Sequence, residues 1–442
     1  MKRSLIALTV VFVLAGTTTN AQNNNSSEPQ GNRQRPEVSS PAPSPTVPAP
    51  RPGAELTPGS AGAPGAIGVK PEPQPQLVSP TATERHPEET PAGNLLLSPS
   101  VVHSRLAEAQ RLLKSRPQPT ALTLPAIDLV TLTALDRTTS RIHLVSLYKS
   151  TFLTKGAEAT ITSSLGTLLN IRILRANGVN TAVAIFDPAG QSLVPLMVQY
   201  PIERGGVFRE MAYYTSVHPA LFSPELARSG QVYVRTMIDL ADRRLRERGV
   251  FISPQIVDVA ERLCLVEHVD HERFRLENRH ALYQEIYSLF ALNQLETYRY
   301  SVSTAGAGGM VQMIPWTYNM VRQRHPGIGL IPDFVVGMRN HGNALQAMLL
   351  YMQDTWNDLA ANDEVQYALS AKLATQPELL AAGYNSNPAR LPLYLRRGGS
   401  SWRGLIPRET QMYLQIYKSF EGLIPLKQRQ PPTPAAKLNH HR

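Results

Sequence analysis

The chain has 442 residues, 42% of them hydrophobic, which suffices for two or three folded domains and excludes a wholly disordered protein. A formal net charge of +10 and a pI near 9.7 point to an acidic partner: nucleic acid, anionic membrane or an acidic polymer. The single cysteine, Cys264, excludes an internal disulfide, and its apolar neighbours in ERLCLVEHV make it a buried small hydrophobe rather than a nucleophile.

Lys2 and Arg3 precede the apolar run LIALTVVFVLAG, which ends in small residues around Ala21. Residues 1–21 therefore read as a secretory signal, too short for a comfortable membrane span. No cysteine near the exit offers a lipid attachment point, and no later run is long and apolar enough to span a bilayer. A periplasmic or secreted location follows, which argues against nucleic acid as the partner. Residues 22–97 are dense in Pro, Ser, Ala, Asn and Gln and lack periodicity; they are expected to be a disordered tether. A coil of that length reaches roughly 50 Å.

SVVHSRLAEAQRLLKSRP predicts a short helix stopping before Pro117. DLVTLTAL, RIHLVSLY and NTAVAIFD alternate apolar and β-branched residues and predict strands. AIFDPAGQSLVPLMVQY predicts two strands joined by a turn at Asp187-Pro188-Ala189-Gly190, and QVYVRTMIDL a further strand. Residues 98–240 are thus expected to be a β-rich or mixed domain, without a motif that carries chemistry. From about 245 to 425 apolar residues recur at three- and four-residue intervals, as in ALYQEIYSLFALNQLE and NALQAMLLYMQDTWNDLA, which predicts an all-helical domain. Residues 426–442 form a basic tail. The fold class is α+β multidomain.

In YRYSVSTAGAGGMVQMIPWTY, Gly306, Gly308 and Gly309 permit backbone forbidden to bulkier residues and let a ligand or another helix approach. A helix is expected to begin near Met310. No G-K-[ST] ending and no preceding strand make a phosphate loop. Gln312 and Tyr318 offer hydrogen bonds to a neutral polar ligand; Tyr318 fits a core position equally well.

SVSTAGAGGMVQMIPWTY resembles the signature of the soluble lytic transglycosylase domain, in which Ser, Gly-Ala-x-Gly, Leu-Met-Gln and Pro precede a helix. In the same order, NHGNALQAMLLYM resembles the family's Asn-containing helix, and AAGYNSNPARL its Ala-Tyr-Asn-x-Gly-Pro segment. LIPRETQMYLQIY resembles the closing Pro-x-Glu-Thr-x-x-Tyr-Val helix. The matches cover about Glu296 to Phe420. The resemblance implies a lysozyme-like helical fold that cleaves the β-1,4 bond between N-acetylmuramic acid and N-acetylglucosamine without water. One Glu protonates the leaving oxygen, then acts as base toward the muramic acid 6-hydroxyl, closing a 1,6-anhydro ring. This differs from two-carboxylate glycosidases and requires a carboxyl that holds its proton near neutral pH. By position in the matched motifs, Ser303, Gly306, Gly309, Gln312, Tyr384 and Asn385 are implied to line the glycan cleft. Glu409 and Thr410 are implied to cap and dock the closing helix.

Two glutamates compete for the acid. Glu296 ends YSLFALNQLE 10 residues before Gly306, slightly closer than the family's spacing, with Thr297 where the family has Ser. Glu267 ends DVAERLCLVEH 39 residues before Gly306, so an inserted helix must be accommodated. Spacing favours Glu296 by a small margin and leaves Glu267 as the rival. His268 and His271 could share a helix face and suggest zinc, but EHVDHER is not H-E-x-x-H and no pattern supplies a third ligand. The expectation is no metal and no cofactor. Peptidoglycan glycan strands are the expected partner, with an envelope protein partner through 98–240 left open. The alternative function is a non-catalytic peptidoglycan-binding or envelope assembly protein, suggested by the shortened spacing and the altered Asn-Pro-Ala-Arg segment.

Overall fold

The computed structural model describes residues 96–116, 128–303 and 305–430. The expected signal, the tether up to residue 95 and the tail beyond 430 lie outside the described residues. Helix α1 (Pro99–Lys114) matches the first expected helix: Ser98 caps it and Pro99 occupies its first turn. Its buried stripe of Val102, Leu106, Ala109 and Leu113 covers one face of a sheet.

The strands are β1 (Leu129–Leu135), β2 (Ile142–Tyr148), β3 (Glu158–Thr162), β4 (Leu168–Arg175), β5 (Ala182–Phe186), β6 (Ser192–Arg204) and β7 (Val207–Thr215), with the short helix α2 (Lys149–Phe152) after β2. Every pairing is antiparallel, in the order β2-β1-β6-β5-β4-β3, with β7 on the far end of β6. The 13-residue β6 is long enough to pair β1, β5 and β7 along its length. The chain after β3 returns to β2, where the Ser164 N–H donates to the Leu144 carbonyl at 2.9 Å, so the sheet curls almost closed. β4 alternates exposed and buried residues in the pattern of a strand with one face on a core. The Asp187–Gly190 turn stands as expected: the Gly190 N–H donates to Asp187 O at 3.0 Å, with Gly190 at φ +79°.

QVYVRTMIDL, expected as a strand, instead forms the middle of α3 (Pro224–Glu247). Its β-branched residues favour strands locally, but Leu226, Gly230, Val234, Ile238, Ala241 and Leu245 are buried at intervals of three and four. That stripe packs on other helices, and tertiary burial overrides propensity. The helices that follow are α4 (Pro254–Val266), α5 (His271–Leu276), α6 (Arg279–Asn293), α7 (Pro315–Arg324), α8 (Phe334–Arg339), α9 (His341–Ala360), α10 (Asp363–Ser370), α11 (Gln376–Asn385), α12 (Leu391–Gly398) and α13 (Arg408–Leu423). The fold is therefore mixed: an antiparallel sheet followed by a helical body, sharing a continuous core.

Helix α4 lies at the centre of that body. Every residue from Ile256 to Val266 is buried, against α3, α6, α9, α11 and α13. Cys264 is one of them, its thiol pushed upward in pKa by burial. The charged residues of α4 meet partners. Arg429 reaches Asp258 at 2.8 Å and Glu261 at 2.5 Å, and Arg235 reaches Glu261 at 3.1 Å. Residues 426–430 of the expected basic tail are thus docked along α3 and α4 through Arg429. No helix among the described residues is long and apolar enough to cross a membrane.

Helices α3 and α6 touch backbone to backbone. A Cβ placed on Gly230 would lie 1.8 Å from the Tyr287 carbonyl oxygen, so only glycine fits there. Gly230→Ala should lower stability by about 2–3 kcal/mol, because the two helices must separate. Gly422→Ala, with nothing within 4 Å of its added Cβ, should be neutral or slightly stabilising. Guanidinium unfolding of both variants checks the contrast; equal stabilities would contradict the close crossing.

Candidate active site

A cleft of about 580 Å³ opens between the end of α4, the loop 303–314 with the start of α7, the end of α11, and α13. Pro254 starts α4 and its apolar surface holds it in the core, so the chain emerges from the interior at the helix C-terminus. The first residue there is Glu267, which caps the helix with its N–H bonded to Leu263 O at 3.0 Å. Its side chain lies in the cleft, largely enclosed by protein.

The Tyr413 hydroxyl, from α13, donates to Glu267 Oε1 at 2.6 Å. Burial pushes the Glu267 carboxyl up from its ordinary 4.5 to about 8. The Tyr413 bond pulls the other way, and the negative charge of Glu409 adds to the rise. No cation is paired with this carboxyl among the described ion pairs. A carboxyl in this setting carries a proton at neutral pH, faces a cleft, and can give that proton up and take it back.

Gln312 lines the same cleft with φ +46°, a left-handed conformation rare for a residue with a side chain. Its Nε2 donates to Gly309 O at 2.8 Å and to Ser301 Oγ at 3.2 Å, which holds the amide in place. Strain of this kind persists only where the surroundings over-determine it. Ser303 Oγ accepts the Ala307 N–H at 3.1 Å and ties the loop at the cleft edge. The Tyr384 ring lines the cleft, but its hydroxyl is spent on Val311 O at 2.6 Å rather than on a carboxyl. Asn385, at the end of α11, also lines the cleft, and its Oδ1 is buried without a donor among the described residues. Glu378 fastens α11 from behind: it closes a capping box with Thr375 and pairs with Arg403 at 2.6 Å and Lys418 of α13 at 2.8 Å.

The glycines divide. Gly306 sits at φ +78° with open space where a Cβ would go. Gly309, at φ +69°, faces the protein: a Cβ there would meet Met338 O at 2.3 Å. Its missing side chain makes room for the backbone of α8. The expected helix start at Met310 is corrected to Pro315, because left-handed turns at Gly309 and Gln312 and a bridge between Gly308 and Met313 keep 309–313 out of the helix. Tyr318 takes its core alternative, buried with its hydroxyl donating to Ile331 O at 2.7 Å.

Glu296 stands elsewhere. It ends a single 3₁₀ turn after α6, its side chain 42% exposed, and is not among the cleft residues. Arg299 donates to it at 2.8 Å, and Arg299 and Arg339 both reach Glu210 on β7, so this carboxylate belongs to an ion cluster joining sheet and helices. His268 stacks on Tyr298 with ring centroids 3.5 Å apart and its Nε2–H donates to Met310 O at 2.9 Å. That imidazole, pushed to about 3 by burial, is a neutral structural group. His271 lies at the start of α5 and lines the cleft.

Sequence reasoning did not single out Tyr413. The signal was present, since Tyr413 is the tyrosine of the PRETQMY match, but only the folded chain brings it to a residue 146 positions earlier. Comparison with protein-family models, curated proteins and solved structures returns no match for this chain.

The raised carboxyl has a thermodynamic consequence. Between pH 4.5 and about 8 the folded chain keeps a proton that the unfolded chain releases, so this site's contribution to stability falls as pH rises through that window and is level above it. The melting temperature of the wild type minus that of Glu267→Gln should therefore decline across the window and flatten beyond. Tyr413→Phe removes a bond that favours the charged form and should move the window upward. A difference independent of pH would contradict the protonated carboxyl.

Proposed function

We propose that this protein is an exported peptidoglycan lytic transglycosylase in which Glu267, rather than Glu296, is the acid and base. The observation that carries the reading is the Glu267 carboxyl, raised to about 8 in a cleft and bonded to a tyrosine rather than a cation. The ordered motif matches and the basic charge agree with it. The rival spacing is then accounted for by α5 and α6, which lie between Glu267 and the glycine-rich loop as the inserted helices.

In this reading a glycan strand lies along the cleft. The protonated Glu267 gives its proton to the glycosidic oxygen as the bond to N-acetylmuramic acid breaks. The resulting carboxylate, with the Tyr413 hydroxyl bonded to it, takes the proton of the 6-hydroxyl as that oxygen closes onto the anomeric carbon. The carboxyl returns to its starting state, so one group serves both steps. Gln312 and Asn385 hold polar groups of the strand, and Ser303 shapes the loop beside it. Glu409 is a second carboxylate on the cleft, exposed at the first turn of α13; its part here is to raise Glu267 by its charge.

Purified sacculi digested with the wild-type chain should release fragments ending in 1,6-anhydro-N-acetylmuramic acid, identified by mass. Glu267→Gln should cut the release by ~10²–10⁴-fold or more, the share that general acid–base catalysis supplies, while Glu296→Gln should stay within about threefold of wild type. Helical circular dichroism confirms equal folded concentrations. Hydrated reducing ends that vanish with Glu409→Gln would replace this reading by two-carboxylate hydrolysis. Binding to sacculi with no release by the wild type would replace it by a non-catalytic binder.

A further inference from the structure

The chain's three tryptophans are used differently. Trp402 is fully buried with its indole N–H on Leu373 O at 3.1 Å, and Trp356 packs against the core. Trp316 is 70% exposed on the cleft that holds Glu267, two residues after the half-exposed Ile314. Pro315 fixes it at the first turn of α7, so the ring is carried by a helix rather than by a mobile tip. Leaving so large an apolar ring in water forgoes a burial worth several of the chain's ordinary core contacts. A ring carried on a helix and exposed on a cleft is suited to receive a flat apolar face from a ligand.

We propose that Trp316 is a stacking platform for a pyranose ring at an outer subsite of this cleft. The ligand class is an N-acetylated hexosamine within a glycan strand, and the proposal rests on the glycan reading above. A pyranose presents a C–H face to an aromatic ring and a rim of hydroxyl and acetamido N–H donors. One such ring would cover the Trp316 face and leave its polar rim toward the rest of the cleft, where Gln312 and Glu267 lie. In this role Trp316 adds affinity and sets how far along the strand the enzyme grips, without touching the proton transfers.

The test uses the full chain carrying Glu267→Gln, so that binding is measured without turnover. Glycan strands of peptidoglycan, freed of peptides by an amidase, are titrated calorimetrically into that chain alone and with Trp316→Ala or Trp316→Phe added. Trp316→Ala should weaken binding roughly tenfold and Trp316→Phe by no more than about threefold, since a smaller ring keeps most of the stacking. The melting temperature should not change, because the ring is exposed. Strands that bind the parent chain with equal affinity when Trp316 is Ala would overturn the platform and leave the glycan reading standing. Strands that do not bind the parent chain would overturn the glycan reading, and the platform with it.

Discussion

The hydrogen bond from Tyr413 to Glu267 is the interaction around which the site is organised. A carboxylate withdrawn from water must be given a cation, a set of donors or a proton. Glu261 is met by Arg429 and Arg235, although burial still raises it above its ordinary value. Glu378 is raised by burial, but the bonds from Arg403 and Lys418 outweigh it and hold the group below its ordinary value. Glu267 has a neutral hydroxyl instead, so burial dominates and the proton stays. Glu378 and Glu267 thus differ in direction because one meets cations and the other a neutral hydroxyl.

Holding that arrangement requires both ends of the bond to be fixed. Glu267 is fixed because α4 is buried on every side, with its charged residues paired, and cannot rotate without exposing apolar surface and breaking those pairs. Tyr413 is fixed because α13 is tied to α11 through Lys418 and Glu378. The sheet contributes from below the loop. Tyr214 on β7 accepts the Tyr298 N–H at 3.0 Å, Tyr298 stacks on His268, and His268 holds Met310 O. Thr215 donates to Asn293 at the end of α6 at 2.8 Å. The strand-rich part, for which the sequence offered no chemistry, therefore buttresses the chain on both sides of the glycine-rich loop.

Much of the fold was legible wherever periodicity and local chemistry agreed. The stretch SVVHSRLAEAQRLLKSRP announced α1, the Asp187–Gly190 turn announced β5 and β6, and the long apolar repeats announced α6 and α9. QVYVRTMIDL was misread because its Val and Tyr residues favour a strand, while the decisive fact, Gly230 against the Tyr287 backbone, is a contact across 57 positions. Ser303, Gln312, Tyr384 and Asn385, named from the motif matches, line one cleft. Glu267 and Glu296 could not be separated by spacing, because distance along the chain says nothing of which helix end faces the loop. At Gly309 a neighbouring carbonyl already requires the missing side chain, a demand the glycine alone never encodes.

The central claim is that the Glu267 carboxyl is protonated at neutral pH. Infrared difference spectroscopy of the wild type against Glu267→Gln, followed from pH 5 to pH 10, reads that proton through the carbonyl stretch of a protonated carboxyl. The account predicts that the band assigned to Glu267 is present at pH 7 and is lost with a midpoint near 8. A band already lost at pH 5, with the carboxylate stretch in its place, would contradict it.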